Sequence, residues 1–270
     1  MSETATRDEG RGRIALVTGA ASGIGLSTAT VLAARGWRVV VNDLDEDRCR
    51  EAAAPLGAAV SAFDVTDEHA TEAAVAALEE QLGPVEALFA NAGVIQAPLP
   101  PEELSMATFD RIIAVDLRGV YVSCLAAGRR MARRGRGGIV VTGSVSASRA
   151  LPLHAYAPAK AAAVHMASCL AAEWGRSGVR VNAVSPGFVG TPALLAQIQA
   201  GLRDPARLRE TSALGRMVEP EEIGRAVAFL LSDDAGAITG IDLPVDAGWL
   251  CASQMSTYGG VRPARSEEPG

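Results

Sequence analysis

Short apolar runs recur along this chain, separated by amphipathic stretches of helical length, and that alternation leaves few folds open. The runs are Ile14 to Thr18, Val39 to Asp43, Ala59 to Phe63, Ala87 to Ala90, Gly138 to Thr142, Val179 to Val184 and Asp242 to Val245. The stretches between them include Gly23 to Arg35, Asp67 to Leu82, Thr108 to Arg134, Tyr156 to Ser177 and Glu219 to Ser232. A strand joined through a helix to a parallel strand makes a right-handed crossover. The expected fold class is therefore α/β: one domain over residues 13–252, built on a seven-stranded parallel sheet that is doubly wound with helices on both faces. Residues 1–12 read as a disordered polar tail and 253–270 as a loosely ordered end. Residues 187–218, with Pro192, Gly201 and Pro205 among short apolar pieces, read as a mobile lid.

With 49% hydrophobic and 21% charged residues, the 270-residue chain has enough apolar material for a large core and too much for disorder. Its net charge of -6 gives no general attraction to nucleic acid. The one basic cluster, Arg129, Arg130, Arg133, Arg134 and Arg136, ends a helical stretch, where cations complement the helix dipole. Cys49, Cys124, Cys169 and Cys251 form no CxxC pair, and His69, His154 and His165 share no ligand spacing, so neither a disulfide framework nor a metal site is expected. No apolar run reaches membrane-spanning length, and Met1 to Arg13 lacks the apolar stretch of a secretory signal. The expected setting is the cytoplasm, with neither membrane nor nucleic acid as partner.

Ligands of such sheets bind beyond the carboxyl ends of the strands. The first strand runs into Thr18-Gly19-Ala20-Ala21-Ser22-Gly23-Ile24-Gly25, which opens a helix. Glycines there allow a sharp turn and close approach to a pyrophosphate, and helix-start amides face the anion. Gly19, Ser22, Gly23, Ile24 and Gly25 are accordingly candidate cofactor contacts in a Rossmann-type turn. The spacing is GxxxGxG, and no GK[ST] follows to suggest a nucleotide-triphosphate loop. Asp43, at the end of the second strand, is placed to accept hydrogen bonds from an adenosine ribose and to repel a 2′-phosphate. Its neighbours Ser22 and Leu44 supply no cation, so NAD is the expected cofactor.

Tyr156 and Lys160 are four apart in a helical segment and share a face. The chain contains 24 arginines and one lysine, and that lysine is Lys160. An ammonium on a flexible stem can serve a tyrosine and a ribose where a planar guanidinium fits badly. A free tyrosine titrates near about 10, so its use as a base at neutral pH needs a neighbouring cation. An ammonium about 4 Å away, at an effective dielectric near 20, supplies about 4 kcal/mol. Ser144, just past the strand ending at Thr142, can donate to a substrate oxygen as charge develops. It does not sit in a GxSxG elbow, which disfavours an esterase.

Together these motifs resemble the short-chain dehydrogenase/reductase family, with matches from residue 14 to about 250. By that resemblance Asp64 and Val65 contact the adenine, and Asn91-Ala92-Gly93 is the central-strand motif. Pro186, Gly187, Val189 and Thr191 form the nicotinamide-side loop, and Val245-Asp246-Ala247-Gly248 matches the end motif. The resemblance also implies a homotetramer, and hydride transfer at the nicotinamide with Ser144, Tyr156 and Lys160 as catalytic residues. It departs from the family at Asp116, in Ile113-Ala114-Val115-Asp116-Leu117, where asparagine is usual. A carboxylate near the catalytic pair would offset part of the lysine's field and favour protonated Tyr156.

Two function classes follow: a working alcohol/ketone oxidoreductase, and a catalytically silent NAD-binding protein on the same fold. The Ser144, Tyr156 and Lys160 set favours the first, and Asp116 alone favours the second. The expected substrate is a small-molecule alcohol or ketone: a polyol, a small secondary alcohol or a natural-product hydroxyl. It is expected to touch Ser144, His154, Tyr156, Gln96 and Phe188, in a pocket lined by Val94 to Pro101, Val145 to Ala155 and Phe188 to Arg209.

Overall fold

All seven apolar runs form strands in the computed structural model, which describes residues 10–262. In chain order they are β1 (Ile14–Thr18), β2 (Arg38–Asn42), β3 (Ala59–Val60), β4 (Val85–Ala90), β5 (Gly137–Thr142), β6 (Val179–Pro186) and β7 (Asp242–Val245). They pair in parallel in the order β3-β2-β1-β4-β5-β6-β7. β1 is buried over its full length, as a strand covered on both faces must be. Its alternate side chains enter two cores: Ile14 and Leu16 face α3 (Glu68–Leu82), α5 (Val120–Arg134) and α6 (Tyr156–Trp174). Ala15 and Val17 face the opposite layer, made by α1 (Gly23–Ala34), α2 (Glu46–Ala53) and α9 (Pro220–Leu231).

The strand order reverses between β1 and β4, which opens a crevice at their carboxyl ends. Side chains lace the strand ends there. Thr18 Oγ1 accepts from the amides of Asn91 and Ala92, and Asn91 Nδ2 donates to the Thr18 and Gly19 carbonyls. Asn91 Oδ1 in turn accepts from the Thr142 hydroxyl, 3.2 Å away.

Several expected boundaries move for identifiable reasons. β2 stops at Asn42, so Asp43 lies one residue beyond it. β3 is two residues long rather than five, because Asn42 Nδ2 donates to the Ser61 and Phe63 carbonyls where a ladder would continue. α2, absent from the expected helices, buries a short face of Cys49, Ala52 and Ala53 and is capped by Asp45, with Arg50 pairing with Glu46 and Asp47 on its exposed side. The stretch from Thr108 to Arg134 is not one α-helix: α4 (Met106–Ile113) passes through a π-helical turn, Ala114–Gly119, into α5. The expected lid carries two short helices, α7 (Pro192–Gln199) and α8 (Pro205–Glu210), and is closed at its base by a bridge between Val189 and Val218. α10 (Trp249–Ala252) and a 3-10 segment, Ser253–Tyr258, follow β7. At the other end, the amides of Gly10 and Gly12 bond to the Arg35 and Gly36 carbonyls, so the expected tail is tied down by residue 10. Residues 1–9 and 263–270, the rest of the two expected tails, lie outside the described residues.

Three of the five clustered arginines pair within the protein. Arg130 and Arg134 of α5 pair with Glu72 and Glu79 of α3, and Arg136 pairs with Glu86. No helix of the described residues is long and apolar enough to cross a membrane.

Helices α5 and α6 approach closely at Gly128, where an added Cβ would sit 2.3 Å from the Trp174 ring. Gly128→Ala gains about 1 kcal/mol of helix propensity but drives a methyl into a rigid indole, for an expected net loss of about 1–2 kcal/mol. Thermal unfolding should show a lower midpoint, by roughly 2–4 °C per kcal/mol for a chain of this size. A midpoint that is unchanged or raised would contradict this packing.

Candidate active site

The switch-point crevice holds a cavity of about 570 Å³. Gly19 and Gly23 adopt left-handed conformations, with φ of 64° and 55°. Gly25 packs so tightly that a Cβ would stand 2.1 Å from the Gly19 carbonyl oxygen. Ser22, the N-cap of α1, makes no side-chain capping bond, so the amides of that helix start are left to an outside acceptor. A turn of bare backbone leading into a helix N-terminus fits a pyrophosphate.

Beyond the turn, Asp43 Oδ1 accepts from the Leu44 amide at 2.8 Å and Oδ2 from the Ala21 amide at 3.3 Å. Asp43, Asp64 and Val65 line the same end of the cavity, as do Asn91, Ala92 and Gly93 further along. Asp64 is fixed by accepting from the Thr66 amide and hydroxyl. Arg48, exposed on the unexpected α2, also lines this end and places a cation there. Thr191 lines the cavity while capping α7, its hydroxyl accepting from the Leu194 amide. Pro186 ends β6, Gly187 packs against the Asp246 backbone, and Val189 is buried in the bridge to Val218; none of the three lines the cavity.

Tyr156 opens α6, and Lys160 follows one turn later. Lys160 is 2% exposed, and its Nζ donates to the Thr142 carbonyl at 3.0 Å. The same Nζ lies 3.1 Å from Oδ1 of Asp116, which is fully buried, and the two form an ion pair. Asp116 Oδ2 accepts from the Val94 amide at 3.0 Å. The wide π turn is what delivers Asp116 to this point. Gly93 is required beside it, since a Cβ there would meet Asp116 Oδ1 at 2.6 Å and Lys160 Nζ at 3.5 Å.

Burial opposes the charge on Lys160, but Asp116 and then Tyr156 outweigh it, and the ammonium pKa is raised above its ordinary value. The site therefore holds a charged lysine throughout the neutral range. For Tyr156 the balance runs against the expectation that the cation dominates. Burial pushes the phenol pKa up, Lys160 pulls it down, Asp116 pushes it up again, and a hydrogen bond with Ser144 lowers it; the net shift is upward. One side of Tyr156 stays open to the cavity, so water there moderates the effect of burial. Lys160 Nζ is 5.6 Å from the Tyr156 ring centre. Ser144 Oγ accepts from the Ser146 amide and hydroxyl, which leaves its own proton free to donate.

The expected substrate contacts divide. Ser144 stands close enough to Tyr156 to act on its phenol. Phe188 is half-buried and packs edge-on against Trp249, with ring centres 5.7 Å apart, and His154 is exposed. Gln96 is 2% exposed, and its Oε1 accepts from the amides of Ala155 and Tyr156. Another cavity of about 540 Å³ lies at the amino-terminal ends of the strands, between Arg13, Arg136 and Arg180. Asp233, Glu86 and the carbonyls of Leu230 and Ser232 engage those guanidinium groups, and no acid/base pair like Tyr156 and Lys160 lines it.

A family profile described as enoyl-(acyl carrier protein) reductase matches residues 19–250. D-threitol dehydrogenase of Mycolicibacterium smegmatis is 40% identical over 244 residues, covering 88% of this chain and 93% of that protein. Cis-4-hydroxycyclohexanecarboxylate dehydrogenase of Sinomonas cyclohexanicum is 39% identical over 242 residues, covering 88% and 96%. A crystal structure described as ribose-5-phosphate isomerase from Brucella melitensis 16M superposes with a TM-score of 0.91 at 44% identity, covering 94% of this chain and 98% of that one. Its name denotes an isomerase and stands apart from the dehydrogenase names of the other two. The chain belongs to the short-chain dehydrogenase/reductase family, whose oxidoreductases use a nicotinamide cofactor.

Asp116 raises the Tyr156 pKa, so removing its charge should lower it. Ultraviolet titration of the phenol, with a Tyr156→Phe background to subtract Tyr121 and Tyr258, should place the Tyr156 midpoint of Asp116→Asn below that of the unmodified protein. An unmoved or higher midpoint would contradict the electrostatic assignment.

Proposed function

We propose that this protein transfers a hydride between NAD(H) and a secondary alcohol or its ketone, with Tyr156 as general acid/base. The reading is carried by one observation: Tyr156 stands one helical turn from a buried, charged Lys160 at a cavity that runs on to the glycine turn before α1. When bound, NAD would supply the hydride acceptor. In oxidation Tyr156 would take the hydroxyl proton of the alcohol, and in reduction it would return that proton to the substrate oxygen. Ser144 donates to the substrate oxygen as charge develops there. Lys160 holds positive charge next to the phenol and faces the ribose side of the cavity, while Asp116 fixes its position.

Asp43 supports NAD over NADP. Its carboxylate is held by two backbone donors where it would repel a 2′-phosphate, whereas no hydrogen bond among the described residues fixes the exposed guanidinium of Arg48 there. Relatives named for threitol and for a hydroxylated cyclohexanecarboxylate support polyols and cyclic secondary alcohols as the substrate class. We read residues 187–218 as the substrate lid, the assembly as a homotetramer and the setting as cytoplasmic.

The test is direct. Purified protein supplied with NAD and a panel of polyols and cyclic secondary alcohols should form NADH, faster than NADPH is formed from NADP. Tyr156→Phe should lose about 100-fold or more of that rate, in the range of general acid/base catalysis, while NAD affinity stays within about twofold. Tight NAD binding without turnover on any alcohol would instead identify a silent cofactor-binding protein.

A further inference from the structure

Helix α6 begins without a cap of its own. Its N-cap residue is Ala155, which offers no side-chain acceptor to the first-turn amides. The acceptor comes from about sixty residues upstream: Gln96 Oε1 receives the Ala155 amide at 2.8 Å and the Tyr156 amide at 3.1 Å. Both partners are donors, so the amide group can face them only with its oxygen. That orientation leaves Gln96 Nε2 buried with no acceptor, a cost the fold carries to keep the oxygen on the helix.

The loop that carries Gln96 also touches the other members of the cluster. Gly93 packs against Asp116 and Lys160, and the Val94 amide binds Asp116 Oδ2. Val94 and Ile95 line the cavity. Four consecutive residues therefore contact the ion pair at one end and the backbone of Tyr156 at the other.

We propose that Gln96 is a positioning residue, which caps α6 from the loop after β4 and sets the height of the Tyr156 hydroxyl relative to Lys160 and to a substrate resting on Val94 and Ile95. This rests on the role of Tyr156 proposed above. It assigns no contact with substrate to Gln96.

Two variants separate this from a purely structural cap. Gln96→Met keeps the length of the side chain and removes the acceptor. Gln96→Glu keeps the acceptor and adds a negative charge close to Tyr156. Each is compared with the unmodified protein for NAD affinity, for kcat and KM from pH 6 to 10, and for hydrogen exchange at the amides of residues 155 and 156. For Gln96→Met we expect kcat to fall about tenfold per folded molecule, the rate equivalent of one hydrogen bond, and the two amides to exchange about tenfold faster. NAD affinity should stay within about twofold. For Gln96→Glu we expect protected amides and a restored kcat on the alkaline plateau. Its acidic limb should move to higher pH, because a carboxylate there favours the protonated phenol.

Unchanged kcat per folded molecule in Gln96→Met, or an unmoved limb in Gln96→Glu, would overturn the proposal. If Gln96→Met fails to fold, the limb of Gln96→Glu decides alone. If the unmodified protein oxidises no alcohol, the functional reading fails separately. Amide exchange and the ultraviolet titration of Tyr156 in Gln96→Glu then test the cap, and wild-type exchange in Gln96→Met or an unshifted phenol counts against it.

Discussion

A lysine ammonium and an aspartate carboxylate, both cut off from water, lie 3.1 Å apart at the centre of this protein, and each makes the other's charge tolerable. Much of the surrounding structure serves that pair. The π turn swings Asp116 inward, the absence of a side chain at Gly93 leaves room for its carboxylate, and the Thr142 carbonyl and Val94 amide take up the adjoining hydrogen-bonding positions. Those contacts reach β4, β5, the middle of the α4–α5 rod and α6, so the pair knits together the carboxyl ends of the central strands. A buried ion pair is no guarantee of net stability, because desolvating two charges offsets much of their attraction. Its effect is to specify one arrangement: the lysine stays charged, and it stays beside the tyrosine.

The distribution of cations follows the same division of labour. Arginines hold the scaffold through forked contacts, Arg134 with Glu79 and the Val85 carbonyl, Arg180 with carbonyls at the end of α9, Arg216 with both oxygens of Glu222. Arg216 and the Glu219 backbone amide hold the Glu222 carboxyl at about 2, which fixes the end of residues 187–218 to the first turn of α9. The chain's one lysine is kept for the place where a compact charge must sit between a phenol, a carboxylate and a carbonyl.

Much of this was legible in the sequence, because strand burial and helix amphipathicity leave a periodic trace and because the glycine turn, Asn91-Ala92-Gly93, Tyr156 and Lys160 are local motifs. What escaped was whatever depends on distant segments meeting. Nothing in the apolar pattern of Thr108 to Arg134 marks the π turn, since its residues still alternate as a helix would. α2 buries only Cys49, Ala52 and Ala53 among charged residues, a stripe too short and too small to stand out, and Arg48 went unseen with it. Gln96 is polar and lies in a loop, which suggested a substrate contact; only the fold shows that the orphan amides of α6 come to rest against it. Asp116's push on the Tyr156 pKa was legible from its place in the motif, but the net upward shift was missed because its largest cause, burial of the phenol, is a tertiary fact.

The interdependence of the ion pair is open to a double-mutant cycle. Unfolding free energies of Lys160→Met, Asp116→Leu and the double variant, measured in denaturant at neutral pH, give the coupling between the two groups. Each single change leaves one buried charge without its partner and should cost about 3–5 kcal/mol, while the double change, with no stranded charge, should cost clearly less than the sum of the two. Single costs that simply add would mean that the charges do not depend on one another, and would contradict the account at its centre.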